Sequence, residues 1–418
     1  MPMIEIHMNS VDVAVIGAGA AGLAAARRML ASDRSVLVLE AGSRLGGRAH
    51  TIDPPGLDVP LDLGCFWLHG ARANAWRAVA ETLGFEVDRT PAPWLDERRW
   101  LHLGGDRLED LQRTQAAFYD RVEEVSARER PMGDFIAPDD RWRGLLDAIS
   151  TFVSGAELDR VAARDHADYA PGDMLDWRVP AGYGRLIATA GAGVPVRLET
   201  AVTAIDFARR DRIAIETSRG TLEARAAIVT VSTDVLAAET IRFTPALPEK
   251  LAAAAALPLG LADKLFLRLD RPEDFAPETH RLGTHERART GAYHIRPFGR
   301  PVIDCFYGGR LARDLEAEGP EAFVDFALGE LAAHFGADIR ARLKPLCSSA
   351  WAAEPFIRGS YAYAMPGAGE ARAILAAPVE ERLFFAGEAC SPQKFTTAHG
   401  AYETGVAAAE AAIEALSS

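Results

Sequence analysis

Gly17-Ala18-Gly19-Ala20-Ala21-Gly22 has the spacing GxGxxG. It follows the apolar run Asp12 to Ile16 (DVAVI) and opens an alanine-rich stretch, Ala20 to Leu30. Gly17 permits a tight strand-to-helix turn, Gly19 lets a pyrophosphate approach the backbone, and Gly22 lets the helix pack close to the strand. The helix start then offers free N–H groups and the positive end of its dipole to the phosphates. Glu40, with Ala41 behind it, ends the next apolar run (VLVLE), where a carboxylate can accept hydrogen bonds from a ribose diol. Just beyond, Arg44-Leu45-Gly46-Gly47-Arg48 puts two glycines between two arginines, a set that can bring backbone and guanidinium groups onto one diphosphate. Near the other end, Phe384-Phe385-Ala386-Gly387-Glu388 and His399-Gly400-Ala401 can add N–H groups near a flavin ring or ribityl chain. The chemistry indicated is the binding of a dinucleotide, NAD or FAD. The sequence has no second GxGxxG after a strand, so the two nucleotide sites usual in a flavoprotein reduced by NAD(P)H are not visible.

These residues need elements to hold them. DVAVI, the glycine turn, the helix Ala20 to Leu30 and VLVLE read as a βαβ start with buried parallel strands. A charged helical pattern runs from Asp106 to Arg130. RIAIET and TLEARAAIVTVS flank Ser218-Arg219-Gly220 as a β-hairpin leading into a strand. Lys264 to Leu269 alternates, Pro320 to Phe335 has helical spacing, Arg382 to Ala386 reads as a short strand, and Gly400 to Leu416 as a small-residue helix. The glycine motifs lie at the two ends and the middle differs from them. That pattern predicts one nucleotide domain of discontinuous segments, residues 10–80, 195–245 and 350–418. A second domain, residues 81–194 and 246–349, is inserted into it.

Composition bounds the rest. With 49% hydrophobic and 25% charged residues the 418-residue chain has globular usage, which excludes a disordered or fibrous protein. Lys plus Arg number 46 and Asp plus Glu 59, and the resulting charge of −13 argues against nucleic acid and against a polybasic membrane anchor. The same charge attracts cationic small molecules. The four cysteines are scattered with no CxxC, against a disulfide framework or a zinc site, and no metal is expected. MPMIEIHMNS lacks the regions of a secretory signal, and the longest uncharged apolar stretch, Leu251 to Ala262, is too short to span a bilayer. A cytoplasmic protein is expected.

Together these segments resemble the flavin-dependent amine oxidases, which include monoamine oxidases, polyamine oxidases and lysine-specific histone demethylases. The likeness runs from about Asp12 to Ala412 and is strongest in VIGAGAAGLAAARRML…VLVLEAGSRLGGRAHT and LFFAGEACSPQKFTTAHGAYETGVAAA. Within the family, Asp62 to Gly70 (DLGCFWLHG), Trp351 to Tyr361 (WAAEPFIRGSY) and Thr397 to Ala401 (TAHGA) are similar to segments of polyamine oxidases and histone demethylases. Pro180 to Leu186 resembles a segment leading into the substrate region. Monoamine oxidases carry a flavin-linking cysteine where this chain has Ser360, so the resemblance implies non-covalent FAD.

The implied fold is α/β: an FAD-binding Rossmann-like domain with an inserted substrate domain of antiparallel sheet plus helices. The implied reaction is hydride transfer from an amine α-carbon to flavin N5, hydrolysis of the imine to a carbonyl product, and reoxidation of the flavin by oxygen to hydrogen peroxide. The substrate is a small-molecule amine, a polyamine or other alkylamine. A lysine on a strand reads by itself as exposed, but the resemblance assigns Lys264 to hold a water against the flavin. It makes Tyr361 one wall of the substrate cage, with Thr397 where monoamine oxidases have a second tyrosine, and sets His69 on the substrate channel. Trp351, Trp67, Phe356 and Tyr361 are candidate aromatic walls that disfavour the charged amine. Beyond the glycine motifs, the expected FAD contacts are Gly64, Cys65, Phe66, Trp67, Val202, Trp351, Phe356, Tyr361, Thr397 and Ala398. The alternatives are an L-amino acid oxidase or desaturase of the same superfamily, and a flavin-binding protein without catalysis.

Overall fold

The computed structural model of the chain describes residues 10–417. Most of the decapeptide MPMIEIHMNS therefore lies outside the described residues. Strand β1 (Ser10–Ile16) leads through the glycine turn into helix α1 (Ala20–Leu30) and then β2 (Val36–Leu39). Both strands are almost wholly buried, which is why they read as unbroken apolar runs. Five more strands complete most of this sheet: β3 (Val196–Arg197), β4 (Val202–Asp206), β5 (Ile213–Thr217), β6 (Gly220–Val229) and β7 (Arg242–Thr244). Their order is β7-β4-β5-β6-β1-β2-β3. β1 lies parallel between β6 and β2, and the predicted hairpin is the antiparallel β5–β6 pair.

A second sheet is antiparallel throughout. It contains β8 (Ala262–Leu269), β9 (Thr279–Leu282), β10 (Ala292–Ile295), β11 (Val302–Gly308) and β12 (Leu343–Ser348). The order is β9-β10-β11-β8-β12. The chain then returns to the first sheet as β13 (Leu383–Phe385), parallel to β6. It ends in α2 (Ala398–Ala415), which begins two residues earlier than the spacing predicts because Thr397 caps it. The helix expected over 106–130 is Gly105–Val122, followed by a single 3-10 turn.

Two apolar cores cover the faces of the first sheet, and a third lies on one face of the second. Small residues let α1 and α2 pack together: Ala21, Ala24, Ala25, Ala401, Ala408 and Ala412 are all buried. Strands of the first sheet come from residues 10–39, 196–244 and 383–385, and those of the second from 262–348. Among the described residues no helix is long and apolar enough to cross a membrane.

Candidate active site

The nucleotide end is built at the C-terminal edge of β1, β6 and β13. Gly17 has φ +103°, a conformation that side-chain-bearing residues avoid, so the turn into α1 requires glycine. A Cβ on Gly22 would lie 1.9 Å from the Gly17 carbonyl oxygen, so the helix meets the turn only because that position is bare. No side chain caps the start of α1, and its first turn holds no acidic residue. Its leading N–H groups, including those of Ala20 and Ala21, thus face outward from an electropositive helix end. Glu40 accepts hydrogen bonds from Ala18 N at 2.6 Å and Gly42 N at 2.7 Å, which fixes its carboxylate beside the turn next to Ala41.

The second glycine loop lies against the first. Gly46 N donates to Ala18 O at 2.9 Å, and Gly46 pairs with Gly19 as an isolated bridge, with Gly47 next in the chain. Arg44 is partly buried; burial lowers its pKa, while Glu354 and Glu40 oppose that change. Arg48 departs from the expectation that both guanidiniums converge on a diphosphate. It donates to Ser360 O at 2.5 Å and to Glu388 Oε1 at 2.9 Å, because a buried carboxylate competes for it. Glu388 also accepts from Ala362 N at 3.1 Å and Thr396 N at 2.9 Å. This one acidic residue ties the loop after β13 to three other motif segments.

A small pocket opens where β6 and β13 end, lined by Arg48, Ser232, Phe385, Gly387 and Glu388 among others. Strand C-termini are where open α/β sheets take their ligands. The bare turn, the uncapped helix end and the fixed Glu40 fit the phosphates and ribose of a dinucleotide. Val202 is a weaker case. Its side chain is in the core and its backbone pairs with Thr217, so only main-chain atoms are left for a contact. The adjoining segment does reach Glu40, since Thr200 N donates to Glu40 O at 2.8 Å.

The second sheet supplies the reactive end. Lys264 is 6% exposed, contrary to the ordinary reading of a lysine on a strand. Its Nζ donates to the Asp62 carbonyl at 2.9 Å and stands 3.5 Å from Asp304 Oδ2, over the Phe66 ring at 5.0 Å. The neighbours of Lys264 bind the other motifs. Asp263 Oδ1 accepts from Ser349 Oγ and from Trp351 N, and the Trp351 indole donates to Leu63 O at 3.2 Å. Trp351 also packs on Gly64. Ser360 Oγ donates to Ala262 O and accepts from Ala262 N, both at 2.8 Å. Segments 349–351 and 358–362 therefore bind the 262–263 end of β8, and segment 62–70 meets the Lys264 ammonium beside it.

The aromatic set divides. Tyr361 donates its hydroxyl to Phe152 O at 2.8 Å, and burial raises its phenol pKa. It therefore presents a neutral ring. Trp67 packs edge-on to Phe66 at 5.4 Å and to Trp94 at 4.6 Å. Phe356 is 49% exposed in an irregular segment, so it does not line an enclosed wall as expected. Cys65 is no nucleophile, because burial pushes its thiol pKa well up. His69 Nδ1 lies 2.8 Å from Asp176 Oδ1, and the other Asp176 oxygen accepts from Trp94 Nε1 at 2.8 Å. Thr397 is committed elsewhere. Its hydroxyl donates to Lys394 O and accepts from Gly400 N, capping α2. Ala398 O accepts the Trp76 indole.

Residues 132–413 match the model of the flavin containing amine oxidoreductase family, and residues 15–83 match that of an NAD(P)-binding Rossmann-like domain. The chain belongs to the flavin-containing amine oxidoreductases. As a flavin-dependent amine oxidoreductase it uses FAD, and its fold is the mixed α/β one of that family. It is similar to polyamine oxidase 2 of Arabidopsis thaliana, 30% identical over 97% of this chain and 89% of that one. It is also similar to lysine-specific histone demethylase 1 homolog 2 of Oryza sativa subsp. japonica, 29% identical over 97% of this chain and 57% of that one. Among solved structures, cyclohexylamine oxidase from Brevibacterium oxydans IH-35A superposes with a TM-score of 0.77 at 22% identity, covering 98% of this chain and all of that one.

Sequence reasoning missed several residues of the amine oxidoreductase's site. Asp304 was readable as an acidic residue inside the apolar run VIDCFYG, a position that calls for a partner. Asp62 was quoted only as part of a motif. Its carboxylate accepts from Thr51 Oγ1 and from Tyr183 N and Gly184 N, which anchors the Pro180–Leu186 segment. Asp176, the partner of His69, gave no local signal. Glu278, His280 and His294 also gather, but as an ion-paired group. The two rings stack at 3.8 Å, and Glu278 Oε2 is taken by both Arg178 and His294. Burial would raise the Glu278 carboxyl, yet His294 and Arg178 hold it down at about 2.

Proposed function

We propose that this amine oxidoreductase dehydrogenates a C–N bond of a polyamine or other alkylamine. One observation carries the reading: the Lys264 ammonium is buried, donating to the Asp62 carbonyl over the Phe66 ring, on the strand end to which Trp351 is bonded. Bound FAD supplies the acceptor for a hydride leaving the amine α-carbon, with oxygen, reduced to hydrogen peroxide, as the acceptor beyond it. The protein's task is to deliver the amine uncharged and aligned. Trp67, Trp351 and the Tyr361 ring form apolar walls that disfavour the ammonium form and leave the nitrogen lone pair free to support positive charge at carbon. Tyr361 serves as a wall because its hydroxyl is spent on Phe152 O. His69, whose Nδ1 is taken by Asp176, offers its other ring nitrogen to an amine in this reading. Lys264 keeps an N–H for a water at the reacting centre. The iminium left by hydride loss takes up water and falls to a carbonyl compound and an amine.

Residues 10–80, 195–245 and 350–418 form the FAD unit in this reading, and residues 81–194 and 246–349 the substrate unit. Ser360 supports non-covalent FAD, since a hydroxyl held by Ala262 forms no thioether. The test is a panel of monoamines, diamines, polyamines and amino acids added anaerobically, followed by oxygen and peroxide detection. A polyamine or alkylamine should bleach the yellow enzyme, and oxygen should restore the colour with peroxide. Acid precipitation should leave the flavin in the supernatant. Bleaching by amino acids alone would replace the amine reading, and colour retained in the pellet would overturn the non-covalent one.

A further inference from the structure

Lys264 has one neighbour that the reaction above does not use. In the β8–β11 register Lys264 lies opposite Phe306, and Phe266 lies opposite Asp304. Side chains two apart share a face of a strand, so Asp304 projects onto the Lys264 face, one step along the ladder. Its Oδ2 is 3.5 Å from Nζ. The residue is 7% exposed, and Oδ1 has no hydrogen-bond partner. A buried carboxylate so poorly solvated needs a cation.

The other charged groups nearby are spent. Arg300 donates to Pro60 O and Pro180 O. His294, opposite Asp304 on β10, has its Nε2 2.8 Å from Glu278. The Asp62 carboxylate is taken by Thr51, Tyr183 and Gly184, and Cys65 is a buried thiol. A small pocket adjoins Asp304, lined by Asp62, Phe66, Phe266 and Arg300 among others. Asp304 is thus the carboxylate left for Lys264.

We propose that Asp304 is a positioning residue for Lys264. It takes one direction of the ammonium, while the Asp62 carbonyl takes a second. The third N–H is then aimed at the reacting centre. The proposal rests on Lys264 acting in the reaction, and its test separates the two ideas.

Asp304→Asn keeps the shape and removes the charge. The pH profile of flavin reoxidation by oxygen should lose its basic side about one pH unit or more earlier, because losing an anion within 4 Å disfavours the charged lysine. The chain has four lysines, Lys250, Lys264, Lys344 and Lys394. In holoenzyme carrying 13C at lysine Cε, the signal that Lys264→Met removes identifies Lys264. In Asp304→Asn that signal should titrate at lower pH than in the parent, and Asp304→Glu should restore it. The double variant with Lys264→Met should react no more slowly than Lys264→Met alone.

An unmoved signal and profile, or effects that simply add, would overturn the proposal. If Asp304→Asn does not fold alone, the double variant decides by heat: it should melt above Lys264→Met, whose Asp304 has lost its cation, and a lower melting point would refute the pairing. If Lys264→Met instead reacts at the parent rate, the catalytic reading falls while the NMR signal still tests the pair.

Discussion

Charge state at single buried residues decides much of this site. Burial pushes the Tyr361 phenol and the Cys65 thiol further above their ordinary pKa values, and Lys264 is matched by Asp304. His399 shows the same physics with a measurable consequence. Burial lowers its pKa to about 4, with the Pro171 carbonyl opposing and His69 adding to the change. An unfolded histidine titrates near 6.5. Between pH 6.5 and 4 the unfolded chain therefore binds more protons, and stability falls as pH falls through that window. His399→Asn should be less stable than the parent at pH 7, where it loses packing and a hydrogen bond. That deficit should shrink by about 2 kcal/mol at pH 4.5, where the parent pays for its buried histidine. Urea unfolding at the two pH values measures it, and an unchanged deficit would show that His399 titrates normally.

At the scale of elements, Thr397 illustrates how a motif residue acts through a helix. The TAHGA segment suggested a substrate contact, yet the Thr397 hydroxyl closes the first turn of α2 and holds Lys394 O. α2 packs along α1, whose start is the phosphate end. Thr397→Val should cost about 1 kcal/mol or more from the lost cap, read as a lower melting point of the holoenzyme. Thr397→Ser, which keeps the hydroxyl, should recover most of it. If Val and Ser variants melt alike, the cap carries no stability. Much of this level was legible. The GxGxxG turn, the strands around it and the β5–β6 hairpin follow local rules of period and turn chemistry, and they appear where the spacing puts them. Element ends were less legible, because caps such as Thr397 depend on single side-chain bonds.

Across the whole molecule, a few polar bonds tie together segments far apart in the chain: Arg48 to Glu388 and Ser360, Trp351 to Leu63, and Lys264 of the second sheet to Asp62. The chain as a whole carries a net charge of −13. A field of that sign draws cations toward the protein and is screened over roughly 10 Å at 0.1 M salt. For a triamine, kcat/KM should therefore fall about threefold or more as salt rises from about 0.02 to 0.2 M, and for a monoamine it should fall less. Equal insensitivity of both would reduce the charge to a matter of solubility.

The sequence by itself determined the dinucleotide turn, because it depends on residues close together in the chain whose spacing is imposed by backbone geometry, and through the resemblance of its motifs it pointed to the family and the flavin. It also marked Lys264, Tyr361, Trp351 and His69 as residues of interest, through motifs rather than through any visible contact. Tertiary structure decided what each of them touches. Arg48 turned to a buried carboxylate 340 residues away, Phe356 came to the surface, and Asp304 arrived beside Lys264 through strand register. Burial and pairing are properties of the packed chain. An alternating strand shows which residues share a face, but only the neighbouring strand and the loops above it settle whether that face is wet, and which opposite charge meets a lysine there.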